Sequence, residues 1–169
     1  MYQTTSKRCL GIDPGLANTG YAIIGRKAAT QPFNLLESGC IQTDSKATEA
    51  ERILKLYQLV SQLIHAHHPN LVAIERVYFN KNVSSAITTG GVIGVCLLAT
   101  EQLGIESLLL TPQQAKAAAT GNGRASKETM KKVLTRLLSL DIRNHHEADA
   151  AALAIAGLLQ PTLKKEANR

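Results

Sequence analysis

The sequence lacks several features that would assign a chain to a specialised class. None of its 169 residues is tryptophan, and it has only four tyrosines and two phenylalanines. No apolar run reaches the roughly 18–20 residues needed to span a bilayer. The polar start at residues 1–8, followed by a short apolar stretch at residues 9–12, does not resemble a signal peptide. We therefore expect a cytoplasmic protein with no membrane partner.

Cysteine is also scarce. Cys9, Cys40 and Cys96 are widely spaced among apolar residues and have no Cys-x-x-Cys or Cys/His ligand spacing, so a zinc site is not expected. We interpret them as buried, reduced thiols that pack as small apolar side chains. The sequence has no internal repeat and no interdomain linker, and its length suits one domain with its own core. We predict a single domain over residues 1–169, with a frayed tail at residues 161–169.

What the sequence does contain is an excess of positive charge. The net charge is +6, and from Thr111 onward ten Lys and Arg residues stand against five acidic ones, which places +5 in that part of the chain. A basic region favours polyanionic partners, because it neutralises phosphates and releases counterions. A well-solvated basic surface explains the charge equally well, so charge alone does not identify the partner.

The order of the predicted elements indicates the fold class. Apolar alternation and turn residues predict strands over residues 8–13, 21–24, 33–43, 71–75 and 105–110. Three- and four-residue apolar spacing predicts helices over residues 48–68, 83–103, 113–119, 127–140 and 148–159. Three strands followed by alternating helices and strands are typical of an α/β domain, with a mixed sheet flanked by helices.

The predicted helix at residues 83–103 is apolar on more than one face, which burial against one sheet does not require. It also carries Gly90, Gly91 and Gly94. One explanation is a dimer seam in which the glycines permit close approach. The other is a deeply buried central helix, and this stretch alone does not decide between them.

Four side chains suited to metal binding follow or precede apolar elements. Asp13 and Glu75 each end a predicted strand, and His146 and Asp149 are three residues apart near the start of the last helix, so that they share a face. Active sites of open α/β sheets gather at the carboxyl ends of strands and at nearby helix ends. Carboxylates that converge there raise one another's pKa unless a cation joins them. Mg²⁺ prefers oxygen ligands, and two such ions can clamp a phosphodiester.

Each of these four residues also has a structural explanation. Asp13 precedes Pro-Gly, which is typical of a turn, and Glu75 can form an ordinary ion pair. Asp149 can interact with the dipole of a helix N-terminus, and His146 can be a surface imidazole. Only the combination of the four favours a catalytic site.

Three sequence blocks together resemble the RuvC family of Holliday-junction resolvases. The blocks are GIDPGL at residues 11–16 with TGY at 19–21, AIERVYF at 73–79 with Lys81-Asn82, and HEADA at 146–150 leading into LAIA at 153–156. Their order and intervals agree with the family from residue 8 to residue 160. The first block alone is modest evidence, whereas all three together are specific. The resemblance implies a ribonuclease-H-like fold, in which helices flank a mixed five-stranded sheet.

The resemblance also implies a metal-dependent site. Asp13, Glu75 and Asp149 match the three carboxylates that hold divalent metal in the family, and His146 falls where many relatives have a fourth Asp and others have His. The imidazole leaves the preference between Mg²⁺ and Mn²⁺ open. Glu147 is an alternative to His146, although the His-x-x-Asp spacing favours His146. Two Mg²⁺ ions per site are expected, one activating water and the other stabilising the leaving 3′ oxygen.

Five further residues are predicted to contact DNA. Lys116 and Lys127 match basic residues near the catalytic cleft of the family, where they would neutralise phosphate charge. Tyr78 matches an aromatic residue that contacts a base near the junction centre, and we expect it to be exposed. Lys81 follows in the same basic-aromatic loop, and Arg124 lies in the Gly-rich loop at residues 120–125. Without the resemblance, solvated helix lysines would be the simpler interpretation of Lys116 and Lys127.

The function that the resemblance implies is cleavage of four-way DNA junctions. Paired, symmetric nicks with 5′ phosphates and 3′ hydroxyls would resolve the junction, and two related cuts require a homodimer. A branch-migration motor complex is a further expected partner. The alternatives are another ribonuclease-H-like nuclease that acts on RNA, and a non-catalytic junction-binding module. An actin-like ATPase also has Asp-x-Gly after an apolar strand, but its two lobes need far more than 169 residues.

Overall fold

The molecule is built around one mixed sheet that has helices on both faces. Our computed structural model describes residues 7–26, 33–77, 83–139, 142 and 144–160. The strands are β1 (Arg8–Asp13), β2 (Asn18–Gly25), β3 (Asn34–Gln42), β4 (Leu71–Glu75) and β5 (Glu106–Leu110), in the spatial order β3-β2-β1-β4-β5. The helices are α1 (Glu49–His67), α2 (Val83–Gln102), α3 (Pro112–Thr120), α4 (Lys127–Leu138) and α5 (His145–Leu159). The predicted α/β class and five-stranded mixed sheet are confirmed, whereas the tail at residues 161–169 lies outside the described residues.

The first three strands are antiparallel neighbours. Asp13 pairs with Gly20 and Asn18 pairs with Gln42 across the two ladders. We predicted that the second strand begins at residue 21, but β2 already begins at Asn18. The reason is that the Thr19 hydroxyl is buried and donates to the Gly15 carbonyl at 2.7 Å, which confines the turn to residues 14–17.

The parallel strands place two predicted site residues side by side. β4 pairs in parallel with β1 and with β5, as its continuous apolar pattern predicts. Ile12 pairs with Ile74, so the next residues, Asp13 and Glu75, lie at the carboxyl ends of neighbouring strands. Because side chains alternate along a strand, both point to the same face as Ala73, which packs in the cluster that contains α5.

Helix α5 lies across this face and is the most buried of the helices described. All its residues from 150 to 158 are buried, and its alanines permit close approach to the sheet. At the contact with β1, a Cβ on Gly11 would lie 2.0 Å from the Ala150 carbonyl oxygen, so no larger residue fits there. We predicted a start at Ala148. The helix begins three residues earlier because Asn144 caps it, accepting from the Glu147 backbone N–H at 2.9 Å.

The opposite face of the sheet is covered by α1 and α2. α1 begins with a capping box between Thr48 and Glu51 and buries Leu56, Val60 and Ile64. α3 and α4 instead pack with α5 on its own side of the sheet. Cys9 and Cys96 are buried free thiols as predicted, whereas Cys40 is only half-buried.

One side of α2 is open, and we call it the α2 stripe. It consists of three large apolar residues, 53–66% exposed, and three glycines beside which an added Cβ would meet no atom within 4 Å: Val83, Ile87, Gly90, Gly91, Gly94 and Leu98. The explanation of this helix as a deeply buried central one is therefore wrong, because α5 occupies that place. By length and composition alone α2 is also long and apolar enough to cross a membrane, contrary to our expectation. A single such helix is weak evidence, because core helices pass the same test.

Candidate active site

The four predicted metal-binding residues converge at one edge of the sheet. Asp13 ends β1, Glu75 ends β4, and His146 and Asp149 lie in the first turns of α5, which packs against both strands. All four side chains are half-buried. The convergence follows from parallel pairing of β1 with β4 and from the early start of α5 at Asn144.

Asp13 and His146 are in direct contact. His146 Nδ1 lies 2.7 Å from Asp13 Oδ2, a distance at which the ring N–H donates to the carboxylate. Burial raises the pKa of the Asp13 carboxyl; the hydrogen bond with His146 opposes this shift, and the charge of Asp149 adds to it. The Asp13 side chain is 17% exposed, while that of His146 is 45% exposed. The imidazole therefore links a sheltered carboxylate to solvent.

Glu75 has the most perturbed carboxyl of this edge. Burial raises its pKa to about 7, and the negative charges of Asp13 and Asp149 act in the same direction. The charges of Lys127 and Lys116 lower it, but by less. The mutual repulsion that we predicted for converging carboxylates is thus confirmed at Glu75.

Asp149 is paired with a lysine from another element. Lys127 Nζ donates to Asp149 Oδ2 at 3.1 Å, and this contact is the main reason that the pKa of Lys127 is raised. Lys127 is the first residue of α4, so the cap of that helix by Ser126 fixes the backbone from which its side chain extends. The positive charge of Lys127, on the neighbouring helix, thus compensates part of the negative charge of these carboxylates.

A close contact between β2 and α5 sets the position of His146. A Cβ on Gly20 would lie 2.3 Å from the His146 carbonyl oxygen and 2.8 Å from the His146 Cβ. Only glycine therefore permits the first turn of α5 to approach β2 this closely. Since Gly20 pairs with Asp13, the same contact brings the imidazole to the end of β1.

Glu147 is bound by side chains of its own helix cap and of β3. Its side chain is 6% exposed, and it accepts from Asn144 Nδ2 at 2.9 Å and from Ser38 Oγ at 3.2 Å. These two bonds join the start of α5 to β3. Of the two candidates that the sequence left open, His146 is the one that the structure brings to Asp13.

The predicted DNA-binding residues are distributed unevenly. Lys127 is at the site, and Lys116, half-buried on α3, is near enough for its charge to lower the pKa of Glu75. Arg124 is exposed in the loop between α3 and α4, where its backbone N–H donates to Asn122 Oδ1 at 2.9 Å. Tyr78 and Lys81 lie outside the described residues.

The donor chemistry of this edge fits a hard divalent cation, although the side chains are not arranged around one. Among the residues that the structure describes, no three His, Cys, Asp or Glu side chains form a group that could hold a metal ion. The available donors are carboxylate oxygens with one imidazole, the set that suits Mg²⁺ and Mn²⁺. The raised pKa of Glu75 and the ion pair of Asp149 with Lys127 indicate that the negative charge here is only partly compensated.

Our sequence analysis did not identify two residues that help to build the site. Asn144 caps α5, and Ser38 on β3 binds Glu147. Asn144 carried a usable signal, because asparagine directly before a helical pattern with an acidic residue three positions later is a typical N-terminus. Ser38 carried none, since its role depends on a contact 109 residues away along the chain.

Comparison with known sequences gives a family match over most of the chain. Residues 9–157 match the family model described as crossover junction endodeoxyribonuclease RuvC. The chain is 40% identical over 149 residues to crossover junction endodeoxyribonuclease RuvC of Caldicellulosiruptor saccharolyticus, which covers 88% of this chain and 89% of that relative.

Comparison with solved structures gives the same result. Thermus thermophilus RuvC in complex with Holliday junction substrate is similar with a TM-score of 0.83 and 28% identity, over 89% of this chain and 92% of that one. The yeast mitochondrial Holliday junction resolvase has a TM-score of 0.62 at 14% identity, over 89% of this chain and 78% of that one, and shares the fold alone.

Proposed function

Since this chain belongs to the family of RuvC crossover junction endodeoxyribonucleases and resolves Holliday junctions, we propose that Asp13, Glu75, His146 and Asp149 form its cleavage site. The observation that carries this proposal is the convergence of three carboxylates at the ends of β1 and β4 and the start of α5, with Glu75 raised to a pKa of about 7. A fold that needed these acids only for stability would gain nothing from placing them where they repel one another.

Nucleases of this family are metal-dependent, and we assign the metal to these four residues. Asp13, Glu75 and Asp149 would supply the oxygen ligands, with His146 as a nitrogen ligand or as a group that orients water. Two Mg²⁺ ions per site are the expected complement, and the imidazole makes Mn²⁺ an effective substitute. When bound, divalent cations lower the pKa of water and neutralise charge on the scissile phosphate.

The residues of the chain itself have distinct tasks around this chemistry. His146 uses Nδ1 for Asp13, so Nε2 is the ring atom left to hold or transfer a proton to water or substrate. Lys127 and Lys116 supply positive charge next to the scissile phosphate, where negative charge develops during cleavage. The products of such hydrolysis would carry 5′ phosphates and 3′ hydroxyls.

DNA contacts beyond the site are assigned to Arg124 and to two residues outside the described part of the chain, Tyr78 and Lys81. Arg124 is exposed in the loop that follows α3 and is placed to bind a phosphate. Tyr78 and Lys81 retain the roles that the sequence suggests, stacking on a base near the junction centre and contacting the backbone. These assignments predict a positively charged path that leads to the carboxylates.

The assembly that acts on a junction is proposed to be a homodimer. Two symmetric cuts require two sites related by a two-fold axis, and the α2 stripe is an exposed apolar surface that a second copy could cover. Its glycines leave open space in which a partner helix can approach closely. We further expect a single nuclease domain over residues 1–169, a cytoplasmic location where it meets DNA, and a branch-migration motor as a partner.

Cleavage of a labelled mobile four-way junction tests the site. We expect wild type to give paired, ligatable nicks with Mg²⁺ and none with EDTA, and Glu75→Gln to lose at least about 1,000-fold in rate while still binding the junction. Glu128→Gln is the matched control, because Glu128 is an exposed carboxylate on α4 whose partner is Lys132. It should cleave like wild type.

Three outcomes would contradict parts of this proposal. Junction binding without cleavage in either Mg²⁺ or Mn²⁺ would show that the protein is a junction-binding module without nuclease activity. Faster cleavage of an RNA hairpin than of the junction would favour a different ribonuclease-H-like activity. Full cleavage by Glu75→Gln would contradict the assignment of the carboxylate site, but it would not contradict the junction-resolving activity of the family.

A further inference from the structure

A basic groove lies beyond β3, away from the carboxylates. It has a volume of about 460 Å³ and runs between the loop after β3 and the first turns of α1. It is lined by Lys46, Arg52 and Lys55 together with Thr43, Ala47 and the acidic residues Asp44 and Glu51. We call Thr43, Lys46, Arg52 and Lys55 the basic groove. None of them is among the residues assigned to cleavage or to DNA binding above.

The sheet topology places this groove on the same edge as the active site. β1, β2 and β3 are consecutive antiparallel neighbours, with Asp13 opposite Gly20 and Asn18 opposite Gln42. The carboxyl end of β3 is therefore two strands from Asp13, which corresponds to roughly 10 Å. The groove lies on the α1 side of the sheet, whereas Asp13 points to the α5 side, so a duplex arm that contacts both passes around this edge of the sheet.

The guanidinium of Arg52 is held in the groove by the turn that follows Asp13. Its Nε donates to Thr43 Oγ1 at 2.8 Å, and the Thr43 hydroxyl donates to the Leu16 carbonyl at 2.6 Å. The Thr43 backbone N–H also donates to the Ala17 carbonyl at 3.1 Å. Because only Nε takes part in the contact with Thr43, the terminal nitrogens remain available for a bidentate contact with phosphate.

The two lysines differ in how they are held. Lys55 Nζ donates to the Gln42 carbonyl at 2.9 Å, so its ammonium lies over the end of β3 and retains two further N–H donors. The backbone N–H of Lys46 donates to Asp44 Oδ1 at 2.9 Å, which orders the loop that carries its side chain. Three cations thus project from a braced loop and from the first turns of a helix.

The acidic residues of the groove are engaged locally. Asp44 accepts from the Lys46 backbone. Glu51 accepts from the backbone N–H and the hydroxyl of Thr48, each at 2.8 Å, as part of the capping box of α1. Their carboxylates therefore serve the turn and the helix cap, whereas the cations keep donors for an outside partner.

We propose that the basic groove binds the phosphodiester backbone of the junction arm next to the strand being cut. The proposal rests on the junction-resolving function and adds a second, outlying contact to it. Arg52 and the two lysines bind two or three phosphates of the duplex arm, and this binding does not depend on the DNA sequence. Because Arg52 is connected through Thr43 to the loop after Asp13, an arm held here is held in a fixed relation to the cleavage site.

The test is junction binding in EDTA, where no cleavage occurs, measured over a series of salt concentrations. The variant is Lys46→Ala with Lys55→Ala; Arg52 is left intact because its bond to Thr43 supports the turn after Asp13. We expect affinity to fall about 10-fold at low salt. The slope of the logarithm of the association constant against the logarithm of the salt concentration should become shallower by about 2, because each lysine removed leaves one phosphate without its neutralising charge. Lys7→Ala is the control, because Lys7 is an exposed lysine at the opposite end of β1.

Binding and cleavage by wild type separate this proposal from the underlying function. If the double variant binds like Lys7→Ala while wild type binds and cleaves, the groove is not a DNA contact. If wild type itself neither binds nor cleaves junctions, the proposed function fails instead.

Discussion

Among the carboxylates of the proposed site, Glu75 is the one whose pKa is changed most clearly by the burial of charge. Burial and the charges of Asp13 and Asp149 raise its pKa from 4.5 to about 7, against the opposing charges of Lys127 and Lys116. A carboxyl with this pKa is about half protonated at neutral pH in the metal-free protein. A cation that replaces the proton relieves this repulsion, and the relief favours binding of the cation.

A pH-dependent stability follows from this shift. The folded-state pKa lies above the unfolded value, so folding takes up protons between about pH 4.5 and 7, and the metal-free protein loses stability as pH rises through that window. We expect Glu75→Gln to be more stable than wild type at pH 8 by about 1–2 kcal/mol, less than the whole shift implies because the side chain is partly exposed. Near pH 4 the two proteins should be equal.

Chemical denaturation in EDTA at pH 4, 6 and 8 measures this difference. Glu128→Gln, which changes an exposed carboxylate, provides the comparison and should show no such pH dependence. A gain for Glu75→Gln that stays constant across the series would mean that the carboxyl is not perturbed.

Glu147 illustrates the opposite case, a buried carboxylate that serves structure. Glu147→Ala removes the bonds from Asn144 and Ser38 and leaves both partners unpaired, so we expect a loss of about 2–3 kcal/mol in the free energy of unfolding. Glu147→Gln can keep both contacts and should lose less than about 1 kcal/mol, with junction cleavage retained. Urea denaturation and a cleavage assay test both statements; loss of cleavage in a well-folded Glu147→Gln would instead make Glu147 part of the catalytic set.

At the scale of elements, the site depends on how closely α5 approaches β1 and β2. At Gly11 and Gly20 the strands lie against the helix backbone, at Ala150 and His146 respectively. Such contacts fix the height of α5 above the sheet, because backbone atoms cannot move aside as a flexible side chain can. His146 and Asp149 therefore take their positions from the strands and from Asn144, which starts the helix.

Gly20→Ala should disturb the site more than its small size suggests. The added methyl would lie 2.3 Å from the His146 carbonyl oxygen, so α5 must shift, at a cost of about 1–3 kcal/mol, and cleavage should fall by at least about 10-fold. Gly25→Ala, in the same strand, meets its nearest neighbour at 3.8 Å and is the control. Thermal denaturation and junction cleavage compare the two variants, and equal behaviour would show that the helix start is adaptable.

At the scale of the whole molecule, the two faces of the sheet are used differently. One face is covered by the buried α5 with α3 and α4, and the proposed catalytic residues lie at its edge. The other is covered by α1 and α2, and α2 leaves the α2 stripe exposed. A chain with its site on one side and an open apolar helix on the other is suited to pairing with a second copy.

A substitution in the α2 stripe tests the proposed dimer. Ile87 is 66% exposed, and Ile87→Asp would place a charge in the seam, which we expect to shift the protein from dimer to monomer at micromolar concentration. Leu54→Asp changes a leucine that is 55% exposed on α1 and should leave the dimer unchanged. Sedimentation velocity gives the oligomeric state. A dimer that survives Ile87→Asp would place the interface elsewhere.

The sequence by itself determined the element order and which carboxylates are candidates for the site. Asp13 and Glu75 each end an apolar strand, and apolar runs, turn residues and helix caps act over a few positions, so they can be read locally. The early start of α5 was also within reach, since Asn144 is a typical cap. The family resemblance depended on short blocks in a fixed order, which a linear sequence preserves.

Only the tertiary structure decided which side chains meet. His146 contacts Asp13 across 133 positions, Glu147 binds Ser38 instead, and Arg52 is connected through Thr43 to the loop after β1. The exposure of α2 and the burial of α5 were likewise undetermined, because both helices are apolar and their composition does not state which one the other elements cover. Contacts between distant positions depend on register and packing distance, and these are properties of the folded chain as a whole.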